Sequence, residues 1–207
     1  MMLTLYTKPG SCALATHIAL AEAGADYSVR HVDEAANELR SPEYLAINPH
    51  GRVPALVTPD GVLTETPALL VYVAQLFPTA KLIPTSDPMA FAQMQSFNSY
   101  LASTVHVAHA HKRRGYRWVD DPAAEEAMRA KVPETMTNAF LLIEEKLSGP
   151  WVMGNQYTVA DGYLFTLGQW LEGDDADVSK LPNVLAHRAR MLERDAVQRA
   201  LAEEKPS

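Results

Sequence analysis

Cysteine is almost absent from this chain. Of 207 residues only Cys12 carries a thiol, so no internal disulfide can form, which suits a reducing compartment. No second cysteine follows three positions later, which excludes a self-resolving dithiol cycle. Long apolar runs are missing as well. The most apolar helical stretch, 68–77, is far too short to cross a bilayer. The opening MMLTLYTKPG lacks the basic start and long apolar segment of an export signal. Positive charge is scarce: 18 Lys and Arg against 25 Asp and Glu leave a net charge of −7, a poor basis for a nucleic-acid surface. The expectation is a cytoplasmic soluble protein that binds neither membrane nor nucleic acid.

What is present is ordinary for a globular chain, with 47% hydrophobic and 21% charged residues. The length allows one large domain or two small ones. Over 1–83, short strands alternate with helices. A strand at 2–6 leads to a helix at 12–23; a strand at 27–32 precedes an irregular or helical stretch at 34–47. Strands at 54–57 and 62–64 then lead to a helix at 66–77. This order predicts an α/β, thioredoxin-like domain. PTAKLIPTSDP, residues 78–88, holds three prolines and reads as a linker. Amphipathic patterns over 88–112, 122–147, 158–172 and 183–203 then predict an all-α domain at 88–207, with no strand.

Two segments carry chemistry. Cys12 follows the Pro9-Gly10-Ser11 loop and opens an apolar-periodic helix closed by Gly24. The helix dipole there favours a thiolate and is expected to lower the thiol pKa. The plain alternative is a core cysteine acting as a small hydrophobe. The second segment, NPHGRVPALVTPDGVLTETPA at 48–68, sets Val53-Pro54 directly before a short strand. Proline lacks an N–H and restricts its neighbour, so a cis turn is one sound reason for it there. Such a turn leaves the Val53 backbone free to pair with an extended peptide. Glu65-Thr66, opening the next helix, offers N–H groups and a hydroxyl to a carboxylate. Together they suggest a cradle for a small acidic peptide.

Elsewhere, Thr158-Val159-Ala160-Asp161 reads as a capping box, which assigns Asp161 to folding rather than catalysis. The run HVAHAHKRR at 106–114 invites a metal reading. On a helix, however, His106 and His109 share a face and His111 does not, and no carboxylate or cysteine lies nearby in sequence. No metal site is expected. His106 is placed in the inter-domain cleft, with His109 either beside it or simply packed or solvated. Lys112, Arg113, Arg114 and Arg117, followed by Trp118, are either a solvated helix end or an attractor of anions.

YTKPGSCALATHIAL, NPHGRVPAL, LTET and YTVADGYLF stand in the order and spacing of the bacterial, beta-class cytosolic glutathione transferases, which the chain resembles over essentially its whole length. The resemblance implies that Cys12 contacts the glutathione sulfur, with Ser11 able to assist or replace it. It implies that Val53 pairs with the cysteinyl unit beside a cis Pro54, and that Glu65 and Thr66 hold the γ-glutamyl end. Arg52 could meet a carboxylate. His106 matches a histidine reaching the active site from the helical domain. Tyr6 resembles the catalytic tyrosine of other classes, a position more often structural here. Ser99 and Thr104 depart from the family's pattern, standing where an amide and a carboxylate often cross the dimer interface to glutathione. His109, Arg113, Trp118 and Trp170 are candidates for the second-substrate pocket.

The implied function is a glutathione transferase, a homodimer by family habit, that adds glutathione as co-substrate to a small hydrophobic electrophile. The alternatives are a thiol-disulfide reductase or peroxidase using Cys12, and a non-catalytic glutathione-binding protein.

Overall fold

The computed structural model describes residues 2–204; residue 1 and residues 205–207, the outer ends of the two expected domains, lie outside the described residues. Strand β1 (Leu3–Thr7) alternates buried and half-buried positions, the period-two signature of a strand between two layers. It pairs in parallel with β2 (Tyr27–His31) and antiparallel with β3 (Ala55–Thr58), which pairs antiparallel with β4 (Gly61–Thr64). The sheet order is therefore β2-β1-β3-β4. A parallel pair needs a crossover, and α1 (Ala13–Glu22) supplies it. Gly24 ends this crossover at φ +64, letting its N–H and that of Ala25 return to the Ala21 and Leu20 carbonyls.

Helix α2 (Pro42–Ile47) is capped by Ser41, whose hydroxyl accepts from the Tyr44 N–H at 3.1 Å. Helix α3 (Thr66–Leu76) completes the α/β part. The topology is thioredoxin-like. Among the described residues the remaining α-helices lie in the second part: α4 (Pro88–Tyr100), α5 (His106–Arg114), α6 (Pro122–Lys146), α7 (Val159–Gly168), α8 (Pro182–Leu192) and α9 (Asp195–Glu203).

Two expectations need correction. The pattern over 88–112 is not one helix: a π-helical turn at Leu101–Val105 separates α4 from α5. A wider turn of this kind inserts a residue and re-phases the helix beyond it, and α5 opens with His106. The pattern over 183–203 breaks at Glu193–Arg194, where Arg194 turns to extended backbone and its guanidinium reaches Glu22 at 2.5 and 2.8 Å. Beyond residue 83 the described residues hold no strand, as expected; two isolated bridges, Trp151 with Gly154 and Met153 with Gln156, are the β pairing recorded there.

Helix α1 is buried over nearly its whole length because it packs against α3 and β1 of its own part and against α7 and α9 of the helical part. One apolar cluster runs through both parts, from Leu3, Leu5 and Leu56 to Met94, Phe140 and Tyr163. The proline-rich segment joins it: Leu82 and Ile83 are buried, and the Leu82 carbonyl accepts from the Val159 N–H at 2.9 Å.

Candidate active site

The site begins at the turn before α1. The Ser11 hydroxyl donates to the Lys8 carbonyl at 2.6 Å and accepts from the Ala13 N–H at 3.3 Å, so it stabilises the turn that presents the next residue. That residue, Cys12, occupies the cap of α1, and its Sγ donates to the Val53 carbonyl at 3.6 Å.

The Val53–Pro54 bond is cis. The turn leading into it is held by its preceding carbonyl: Arg52 C=O accepts from the Tyr44 hydroxyl at 2.5 Å and from Asn48 Nδ2 at 2.7 Å. Both donors are buried, so loosening the turn would orphan two polar groups, at about 1–3 kcal/mol each. Gly51 is required there, because at φ +58 a Cβ would lie 2.7 Å from the Leu39 carbonyl oxygen. Tyr6 packs edge-on against Tyr44 at 5.8 Å, which makes it a support of the cradle.

The third element is the start of α3. Glu65 sits at φ +69, an unusual backbone for a non-glycine residue, costing on the order of 1–3 kcal/mol. The bend leaves Glu65 exposed while burying Thr66 beside Cys12. From the helical part, His106 packs edge-on against Trp170 at 5.1 Å, and His109 stacks on the same indole at 4.0 Å.

This arrangement has counterparts among known proteins. Residues 1–75 match the family model described as glutathione S-transferase, N-terminal domain, and residues 96–195 match its C-terminal domain. Glutathione S-transferase GstA of Escherichia coli O157:H7 is 32% identical, over 97% of this chain and 98% of its own. The chain belongs to the glutathione S-transferase family. A solved glutathione transferase homologue from Sulfitobacter, with bound glutathione, is 48% identical with a TM-score of 0.94, covering 98% of both chains. The bacterial beta-class glutathione S-transferase of Sphingomonas chungbukensis is 33% identical, with a TM-score of 0.84 over 97% of this chain and 98% of its own.

In this glutathione S-transferase family member the electrostatics differ from the sequence expectation at one point. Burial pushes the Cys12 thiol up from its ordinary value, with the Thr66 hydroxyl and the Arg114 charge opposing it. A helix start favours a thiolate only where solvent or a counter-charge supports it, and Cys12 is 9% exposed. His106 is pulled down to about 3, first by burial and then by Arg114, His109, Arg52 and Arg117. It is therefore a neutral imidazole at ordinary pH, able to donate or accept one hydrogen bond but carrying no charge. Burial and then Arg117 hold the Arg114 guanidinium below its usual range.

Arg114, not Arg113, faces the thiol: Arg113 is exposed, whereas Arg114 is half-buried and acts on both Cys12 and His106. Trp118 is exposed and packs on His111 at 4.6 Å. Thr104 is exposed on the π-helical turn. His109 is tied through Nδ1 to the buried Asp174 at 2.6 Å. Among the described residues no group of three or more His, Cys, Asp or Glu is placed to hold a metal. Sequence reasoning saw Arg114 only as one member of a basic run and missed Asp174, since neither has a local signal beyond charge.

Proposed function

We propose that this glutathione S-transferase binds reduced glutathione as co-substrate along Val53, stabilises its thiolate over the start of α1, and adds the sulfur to a small hydrophobic electrophile. The observation that carries this reading is the 3.6 Å contact between Cys12 Sγ and the Val53 carbonyl. It sets the protein thiol beside the backbone edge on which a cysteinyl unit would pair. Once an incoming N–H takes that carbonyl, the Cys12 S–H is released to donate to the glutathione sulfur. Thr66, a donor from neutral His106 and the Arg114 charge then favour the ionised sulfur. Glu65 and the α3 N–H groups hold the γ-glutamyl end. Arg52, Arg114 and Arg117 supply positive potential for its carboxylates.

The reductase or peroxidase alternative needs Cys12 as an attacking thiolate. Its burial and raised pKa weigh against that role. A non-catalytic binder would have no use for the Thr66 hydroxyl and the Arg114 charge that bear on the thiol. We place a second copy of the chain against the open edge strand β4 and the start of α4, where Val62, Leu63 and Met89 are exposed. A lone cysteine suits a reducing cytoplasm.

Two substitutions test this reading. Cys12→Ala and His106→Ala are compared for glutathione binding by calorimetry and for conjugation of an aryl halide. The reading predicts retained binding with reduced turnover for Cys12→Ala and His106→Ala. Undiminished conjugation in both would overturn it.

A further inference from the structure

The turn carrying Ser11 and Cys12 has little core of its own. Gly10 is exposed and sits at φ +71, with nothing within 4 Å of where a Cβ would stand. Yet both polar groups around this residue are claimed by side chains from the helical part. Its N–H donates to Glu204 Oε2 at 3.2 Å, and its carbonyl accepts from Trp170 Nε1 at 3.0 Å. The two partners arrive from different helices, Trp170 from just beyond α7 and Glu204 from just beyond α9.

Each partner is itself fixed. The buried Glu204 carboxylate accepts from the Thr7 hydroxyl at 3.0 Å and lies 3.7 Å from His17 Nδ1. Its neighbour Glu203 meets His17 Nε2 at 2.8 Å and the Tyr27 hydroxyl at 3.2 Å, while the Glu203 carbonyl meets His31 Nε2 at 2.9 Å. On the other side, the Trp170 indole is stacked by His109, which Asp174 holds at 2.6 Å, and is met edge-on by His106.

We propose that Trp170 and Glu204 are positioning residues that clamp Gly10 from both sides and so set where the Cys12 thiol points. The physical case is one of constraint. A glycine in the left-handed region has the widest conformational freedom of any residue, and two hydrogen bonds at opposite ends of it remove that freedom without touching substrate. Because the same indole packs against His106, one side chain keeps the thiol turn and the imidazole in register. Small misplacements of reacting groups are costly, up to about a hundredfold per ångström.

The clamp rests on the role proposed for Cys12, but its test can be separated from that role because Cys12 is the only cysteine. Alkylation of the full chain by iodoacetamide, without glutathione, reports on this thiol alone. Trp170→Phe keeps the stacking ring and removes the donor; Glu204→Ala removes the acceptor. Both are expected to speed alkylation by about tenfold and to move its pH midpoint down, as the thiol leaves its buried seat. Glu204→Gln retains one acceptor oxygen and is expected to fall between Glu204→Ala and the parent.

Glu144→Ala is the control, since this carboxylate caps α8 at 2.8 and 2.9 Å and does not touch the turn. In conjugation assays the clamp variants are expected to lose kcat with KM for glutathione held within about twofold. The clamp is refuted if Trp170→Phe and Glu204→Gln fold normally and react at the parent rate. It is equally refuted if Glu144→Ala accelerates alkylation as much as they do.

Discussion

Asp161 Oδ1 lies 3.0 Å from His187 Nε2, and both side chains are sealed from solvent. The other carboxylate oxygen accepts the Thr158 N–H at 2.8 Å, and Oδ1 also takes the Val152 N–H at 2.7 Å. One carboxylate thus starts α7, ties down the segment before it and anchors α8. Asp161→Ala would strand three partners, two of them, Thr158 and His187, fully buried, and is expected to cost about 3–5 kcal/mol. Urea unfolding measures this loss, and a cost below about 1 kcal/mol, the worth of a simple cap, would contradict the hub role.

His106 predicts a pH dependence. An unfolded histidine titrates near ~6.5, whereas folded His106 titrates at about 3. Between those values the unfolded chain takes up a proton that the folded one refuses. The stability contribution is therefore complete above about pH 6.5 and is lost as pH falls towards about 3. Replacing the group by His106→Phe is expected to remove up to ~1.4 kcal/mol per pH unit of that decline. Parallel denaturation profiles for parent and variant between about pH 6 and pH 4 would contradict the assignment.

The two neighbouring arginines should separate cleanly. Arg114→Gln removes a charge that supports an ionised sulfur at the Cys12 position, and is expected to cost about tenfold in kcat/KM, or ~1.4 kcal/mol. Arg113→Gln, at an exposed site, is expected to leave kcat/KM close to the parent. Steady-state kinetics at low ionic strength distinguishes them, and equal losses would show a diffuse field rather than a local charge.

Thr66 is expected to act through its hydroxyl. Thr66→Ser keeps the donor and should preserve glutathione affinity, while Thr66→Val keeps the shape and should weaken binding by about 1–2 kcal/mol. Calorimetry measures both, and equal affinity in the two variants would remove the hydroxyl from the site.

Much of this architecture was readable from local patterns. The alternation of strand and helix, Cys12 opening α1, Val53-Pro54 before β3 and the Thr158–Asp161 cap each rest on neighbouring residues, and each element formed within a few positions of its expected place. What escaped depends on contacts far apart in sequence. The break before α9 follows from Arg194 reaching Glu22 and lying 3.8 Å over the Tyr157 ring. Cys12 rises rather than falls because tertiary packing buries it, and burial outweighs the helix end. Arg113 and Arg114 are indistinguishable in a string; only the packing of the end of α5 separates an exposed Arg113 from a half-buried Arg114.

The proposed ionisation of glutathione over the start of α1 can be measured on the ligand itself. Cys12→Ser leaves the protein without a thiol while keeping a donor, so the ultraviolet thiolate absorbance of its glutathione complex belongs to the ligand alone. This absorbance is expected to titrate about one to two units below the ~8.5 of an ordinary thiol. A bound glutathione that titrates as it does free in solution, or no binding at all, would contradict it.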